Sequence, residues 1–375
     1  MTIGLLKEIN ISENRVLLIP SDVSSLVQAG HQVFVESEAG EHSNFSDQLY
    51  ESAGAIILPS AEKIFQKVEL VLKVQVPMPV EYELYTPDHI SFSFLHILNN
   101  PELLSVLSKS GAIFFASEML SDTNSHRSVL SAMSDIAGKM AVINGAKYLE
   151  KQFGGKGKFI SGLNGSDSTN ITILGAGTAG TAAAKMAAAI GANVTLIDVD
   201  ESKFECLRSI EHQYNFSFYE YSRGVLREVL LETDILIASV WIPGKKPPIL
   251  VNRDDIKLMQ PGSLVIDLSA DEGGCIETTR PTTIDKPVYI IDGIIHFCVT
   301  NLPSSVPYTS SRALSSAIIP YIMRIAQLGM HEAIAISPEI RSGLAVYRGK
   351  VVNKDIAASL KKEYYDILEL LELNI

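Results

Sequence analysis

ITILGAGTAGTAAAKMAAAIGANVTLIDVD, residues 171–200, carries the clearest structural signature in the chain. A strand-like run ends at Leu174, and Gly175, Gly177 and Gly180 follow in the spacing G-x-G-x-x-G. An alanine-rich segment comes next, before a second apolar run closes on Asp198. The bare triplet arises by chance in roughly one in ten chains of this length at ordinary glycine usage. Set between strand and helix, with an acidic residue about twenty positions on, it has the order of a dinucleotide-binding βαβ unit. The first glycine permits a tight turn, the second lets the backbone approach a pyrophosphate, and the third lets the helix pack close to the sheet. Thr178 and Ala179 then open a helix whose N-terminal N–H groups suit phosphates. A carboxylate at Asp198 accepts hydrogen bonds from both adenosine ribose hydroxyls and repels a 2′-phosphate, so NAD is expected rather than NADP. Lys203 lies just beyond; by itself it reads equally well as a solvated helix lysine.

Outward from this unit, strand-like runs alternate with helical patterns on both sides. Before it come TIGLLKE, a helix over 20–30, QVFVES, a helix over 46–53, ELVLKV, HISFSFLH, a helix over 100–110 and AIFFAS. After it come a helix from 201, DILIAS, SLVIDLS, VYIIDG and IIHFCV. The alternation predicts parallel sheets. Long helical patterns at 125–152 and 310–329 flank the glycine unit, and the Gly/Ser-rich stretch 154–170 reads as the approach to a second domain. The expected fold is α/β: two Rossmann-like, doubly wound domains separated by a cleft and joined by long helices. Residues 1–129 plus 309–375 are expected to form the substrate domain, and 130–308 the NAD-binding domain.

With 375 residues, the chain exceeds the size at which one core usually stops growing. Its 31 basic and 43 acidic residues give a formal charge of −12, which opposes attraction to nucleic acid or anionic membranes. The N-terminus MTIGLLKEIN has neither signal-peptide nor transit-peptide character, and the apolar stretch around Pro320 and Arg324 is too interrupted to span a bilayer. A cytoplasmic protein without membrane partners is expected. Its three widely spaced cysteines form neither a disulfide framework nor a zinc motif, and no metal is expected.

Two residues stand out at the ends of apolar runs. His96 closes SFSFLH, where an imidazole is either a satisfied core group or one placed for proton transfer. Lys73 closes VELVLK, at the strand end where α/β ligands bind, although an edge-strand lysine fits the same pattern.

The strings MSDIAGKMAVINGAKYLEKQFGG (133–155), LGAGTAGTAAAKMA, IPGKKPPILV, GGCIETTRPTT and CVTNLPSSVPYTSSRAL resemble the alanine dehydrogenase family. The likeness runs from GLLKEINISENRVLLIP to SGLAVYRGKVV. It extends to the NAD(H)-binding subunit of the proton-translocating nicotinamide nucleotide transhydrogenases. The family's dehydrogenases carry a Leu-His pair that those subunits lack, matched here by Leu95-His96. The resemblance therefore implies reversible, NAD-dependent oxidative deamination of L-alanine to pyruvate and ammonia. The alternatives are a transhydrogenase subunit, a dehydrogenase of another small amino acid, and a catalytically silent NAD-binding regulator.

The resemblance also implies site residues. His96 and Asp271 are the catalytic pair, Arg15 grips the substrate carboxylate, Lys73 contacts the substrate carboxylate or oxygen, and Asn301 reaches substrate or nicotinamide. Ser134, Ser239, Val240 and Arg280 join the glycine turn, Asp198 and Lys203 in holding the cofactor. Read singly, Arg15 and Arg280 are also ordinary surface charges, Asp271 and Asn301 turn residues, and Ser134 a helix-face serine. The family usually reads Ile-Asp-Gln-Gly-Gly where this chain has Ala270-Asp271-Glu272-Gly273-Gly274, which bears on substrate preference. A homo-oligomer, hexamer or dimer, is the family's habit.

Overall fold

The computed structural model describes residues 1–124, 126–242 and 246–371. The string at 242–251 and the pattern at 125–152 each fall partly outside them. In chain order the strands are β1 (Thr2–Leu5), β2 (Gln32–Glu36), β3 (Ile56–Leu58), β4 (Leu70–Leu72), β5 (Ile90–Ser93) and β6 (Ile113–Ala116). Next come β7 (Asn170–Leu174), β8 (Asn193–Asp198), β9 (Phe216–Glu220), β10 (Ile235–Ala238), β11 (Leu264–Asp267), β12 (Val288–Ile291) and β13 (Ile294–Phe297). The last two are β14 (Leu344–Tyr347) and β15 (Lys350–Val351).

The chain divides into two compact units, one of Met1–Met133 with the residues from Ser304 onward, the other of Ser134–Pro303. It leaves the first unit within the helix Ser128–Tyr148 and returns just before the helix Pro307–Leu328. The Gly/Ser-rich stretch 154–170 lies inside the second unit and leads into β7. Its composition marks a loop, not a boundary.

The first unit's sheet has the order β15-β14-β6-β5-β4-β1-β2-β3, and the second unit's β12-β13-β11-β10-β7-β8-β9. Both are α/β sheets of Rossmann type, parallel from β6 to β3 and from β13 to β9. Parallel strands covered by helices on both faces need continuous apolar runs, and β5, β6, β10 and β11 are buried at every residue. In the first sheet Phe92 stacks on its register partner Phe115 at 4.2 Å. Gly4 on β1 is small because the helix Ala61–Phe65 comes so close: a Cβ there would lie 2.3 Å from Ile64 Cγ2.

Three strands depart from the parallel expectation. β12, β14 and β15 pair antiparallel at the margins. Two-residue turns explain β12–β13 and β14–β15: Asp292-Gly293 and Arg348-Gly349 all take positive φ, the geometry of tight hairpins. The helix expected from 201 is a 3₁₀ turn, Glu201–Phe204, followed by one short helical turn, Glu205–Arg208.

Among the described residues no single helix is long and apolar enough to cross a membrane. Only the pair Pro307–Leu328 and Met330–Ile336 passes jointly, and it is bent by 117°. The longer helix of that pair buries Leu314, Ile318, Ile322 and Ile325 inside the protein.

Candidate functional site

In each unit the chain order reverses at one place in the sheet, between β1 and β4 in the first and between β7 and β10 in the second. Loops leaving neighbouring strands diverge at such a point and open a crevice at the carboxyl edge, where α/β proteins bind ligands.

At the first unit's edge, β1, β4, β5 and β6 lie side by side and are followed by Arg15, Lys73, His96 and Glu118 respectively. Arg15 is 4% exposed, so it is no surface charge. Its Nε and Nη2 donate to the two oxygens of Glu13 at 2.7 and 2.6 Å, and its Nη1 to Met133 Sδ at 3.1 Å. Lys73 is fully buried on an interior strand, with Nζ donating to both oxygens of Glu81 at 2.8 and 2.6 Å. Its backbone N–H bonds Phe92 O, which ties the end of β4 to β5.

His96 lies three residues past β5 and opens a turn closed by the Asn99 N–H on its carbonyl. Its φ of 41° is left-handed, a conformation that costs a non-glycine residue about 1–3 kcal/mol and persists only where surroundings enforce it. Glu118, a buried carboxylate, accepts the N–H groups of Leu95 and His96 at 3.1 and 2.8 Å, and the Phe94 and His96 rings stack at 5.9 Å.

Four carboxylates at this edge, Glu8, Glu13, Glu81 and Glu118, are missing from the sequence reading. Glu13 is held down to about 2: burial pushes it up, but the charge and hydrogen bonds of Arg15 outweigh that. Glu8 goes the other way, to about 7, because burial outweighs the attraction of Lys73.

In the second unit Gly175 takes φ 97°, which a side chain rarely adopts. A Cβ on Gly180 would lie 1.9 Å from Gly175 O, whereas one on Gly177 meets nothing within 4 Å. The three glycines thus divide as the motif requires: a turn, an open approach and a close packing contact. Gly177 caps the 12-residue helix Thr178–Ala189 without a side-chain hydrogen bond, leaving its first N–H groups to a ligand. Gly138 brings the helix Ser128–Tyr148 onto this turn, since a Cβ there would lie 2.0 Å from Ala179 O.

Asp198 ends β8 and is buried. One oxygen accepts from Ala176 N at 2.7 Å, which fixes the glycine turn, and both accept from Lys203 Nζ at 3.0 and 3.2 Å. Ser239, just past β10, donates from Oγ to Gly175 O at 2.9 Å, and the half-buried Val240 follows it. A cavity of about 470 Å³ is lined by Asp135, Gly177, Thr178, Thr181, Lys185 and Lys203 among others. The open face at Gly177, the uncapped helix and a carboxylate one strand away fit a dinucleotide.

The other expected residues are not among those that line this cavity, although Ser134 is the chain neighbour of Asp135, which does. Ser134 is on the helix Ser128–Tyr148, and Asn301, with φ 58°, is in a turn after β13. Arg280 lies on the loop after β11 with its guanidinium 4.5 Å from the Tyr289 ring centroid. Asp271 is exposed on a 3₁₀ turn, Ala270–Glu272, ahead of Gly273 and Gly274, both at positive φ. That loop is held from below by buried Asp267, which accepts from Ser269 N and Oγ at 3.0 and 2.9 Å and from Thr279 Oγ1 at 2.9 Å.

Residues 4–137 match the model of the alanine dehydrogenase/PNT N-terminal domain, and residues 141–354 that of the C-terminal domain. The chain belongs to the alanine dehydrogenase/PNT family. Within that family it is 40% identical to the alanine dehydrogenase of Bacillus subtilis (strain 168) over 97% of this chain and 96% of that one. A solved L-alanine dehydrogenase superposes with a TM-score of 0.91 at 36% identity, covering 96% of this chain and 99% of that one. A transhydrogenase from Sinorhizobium meliloti superposes at 0.80 and 25% identity, covering 94% of this chain and 99% of that one. For this alanine dehydrogenase/PNT protein, the dehydrogenase likeness exceeds the transhydrogenase likeness on both measures.

Proposed function

We propose that the protein is an NAD-dependent amino-acid dehydrogenase that converts L-alanine, NAD⁺ and water reversibly into pyruvate, ammonium, NADH and a proton. The observation that carries this reading is the full-length likeness to alanine dehydrogenases, together with a histidine held in a strained backbone beside a strand that ends in a buried lysine.

On the first unit, Arg15 and Lys73 are the carboxylate anchors. Each is pre-oriented by a glutamate, so little side-chain freedom is lost when substrate arrives. His96 is the proton carrier at the substrate oxygen: it donates when the carbonyl of pyruvate becomes the hydroxyl of the carbinolamine and accepts in the opposite direction. The Glu118 carboxylate, by accepting its backbone N–H, helps to hold it in place. Asp271 is the second catalytic group and Asn301 a further substrate contact.

On the second unit, the N–H groups after Gly177 receive the pyrophosphate, and Asp198 with Lys203 receives the adenosine ribose. Ser239, Val240, Ser134 and Arg280 complete the cofactor contacts. NAD, when bound, supplies the hydride acceptor for the alanine α-hydrogen. We place the enzyme in the cytoplasm as a homo-oligomer, a hexamer by family habit. Three free thiols, two of them buried, suit a reducing compartment.

The test is NADH formation across a panel of amino acids, repeated with His96→Ala and Asp271→Asn. Alanine is expected to be turned over, and both variants are expected to lose turnover.

A further inference from the structure

Glu8 follows β1 at the first unit's switch point, and the proposed mechanism gives it no part. Its Oε1 accepts two backbone N–H groups from the segment after β4, Val74 at 2.5 Å and Gln75 at 3.1 Å. Its Oε2 is buried and finds no hydrogen-bond partner among the described residues. The Gln75 side chain in turn donates to Glu13 Oε2 at 2.9 Å, so Glu8 is one connection from the Arg15 clamp. The charges acting on Glu8 are Lys73 on β4's end and Glu13 in its own loop, with Arg15 and Glu81 paired behind them and the Tyr85 hydroxyl near Glu8 and Glu81.

The charge balance at this edge turns on Glu8. Arg15 with Glu13, and Lys73 with Glu81, are neutral pairs. The fourth carboxylate of the edge, Glu118, is turned to the backbone N–H groups of Leu95 and His96; beside the two neutral pairs an ionised Glu8 therefore adds a negative charge that opposes an arriving carboxylate, and a protonated Glu8 adds none. A buried carboxyl oxygen with no partner is destabilising, since it has given up its hydrogen bonds to water without replacement. A substrate carboxylate supplies the acceptor that a protonated Oε2 lacks.

We propose that Glu8 is the proton-holding group of this edge, taking up a proton from solvent when a small carboxylate binds beside Arg15 and Lys73 and releasing it when that ligand leaves. The proposal rests on the reading of Arg15 and Lys73 as carboxylate anchors, and it makes Glu8 a determinant of substrate affinity. The ligand-free carboxyl is poised for this, since burial pushes it up to about 7. Above that pH, affinity for the carboxylate falls about tenfold per pH unit, because each bound anion requires a proton that is increasingly scarce.

The experiment is calorimetric titration of the intact protein with pyruvate, with NAD present, in phosphate and in Tris between pH 6 and 9. The wild type is expected to take up close to one proton per pyruvate bound at pH 8. Glu8→Gln is expected to bind with no such uptake and with an affinity that no longer falls across this range. Absence of proton uptake in the wild type overturns the proposal and does not depend on the variant folding. An unchanged slope in Glu8→Gln that disappears instead in His96→Asn also overturns it. Proton-linked pyruvate binding that Glu8→Gln abolishes, in a protein that makes no NADH from alanine, supports the proposal and rejects the dehydrogenase reading. Turnover of alanine with pyruvate binding that is independent of pH does the reverse.

Discussion

The Glu118 carboxylate holds the backbone of His96, accepting its N–H at 2.8 Å and that of Leu95 at 3.1 Å while His96 sits at φ 41°. Removing the carboxylate leaves the buried Leu95 N–H unpaired, at about 1–3 kcal/mol, leaves the part-buried His96 N–H without its acceptor, and frees the turn to relax. Glu118→Ala is therefore expected to lower kcat for alanine by about 10- to 100-fold. Its affinity for NADH, followed by fluorescence titration, should stay at the wild-type value, because the dinucleotide turn belongs to the other unit.

The glycine turn makes a paired prediction. Gly177→Ala places its methyl in open space, so Tm should move by less than about 2 °C, yet the methyl stands where a pyrophosphate approaches, and NAD affinity should fall at least tenfold. Gly180→Ala puts a methyl against Gly175 O, so it should lose both NAD binding and about 1–3 kcal/mol of stability. Thermal melts with and without NAD distinguish the two.

Asp198 carries two tasks, fixing the Ala176 N–H and presenting a charge to the ribose. Asp198→Ala is expected to weaken NAD binding by about 10- to 100-fold, as loss of charge-assisted hydrogen bonds implies. With the repelling charge gone and Lys203 released, discrimination against NADP should shrink. Competitive binding of the two cofactors measures this.

Two carboxyls of the first unit titrate in opposite senses, and stability should follow. Glu13, lowered to about 2, stabilises the fold above its ordinary value of 4.5, and that contribution is lost as pH falls from there toward 2. Glu8, raised to about 7, binds its proton more tightly in the folded state, so its contribution is complete below 4.5 and declines as pH rises to 7. Glu8→Gln should hence be more stable than the wild type at pH 8 and similar to it at pH 4. Glu13→Ala should cost about 3–5 kcal/mol at neutral pH, since it leaves the Arg15 guanidinium buried without its carboxylate. Urea unfolding at several pH values tests each.

The sequence made the second unit's core legible because one contiguous stretch carries strand, turn, helix and strand, and each glycine there answers a local steric demand. Lys73 and His96 were visible as polar residues ending apolar runs. The carboxylates around them were not: Glu81 meets Lys73 from eight residues on, Glu8 meets Val74 across 66 residues and Glu118 meets His96 across 22, so nothing in the sequence distinguishes them from solvated glutamates. Asp267 likewise reads as the end of an apolar strand, and only the fold reveals that it supports the Asp271 loop. β3 and β9 escaped notice because their residues are largely half-exposed or exposed, which removes the apolar run that marks a buried strand.

The most direct test is the rate of NADH appearance, by absorbance, when purified protein is mixed with NAD and L-alanine. Alanine-dependent NADH formation is expected, with near-complete loss in His96→Ala at an unchanged melting temperature. No NADH from alanine, or a His96→Ala protein as fast as the wild type, would contradict the account.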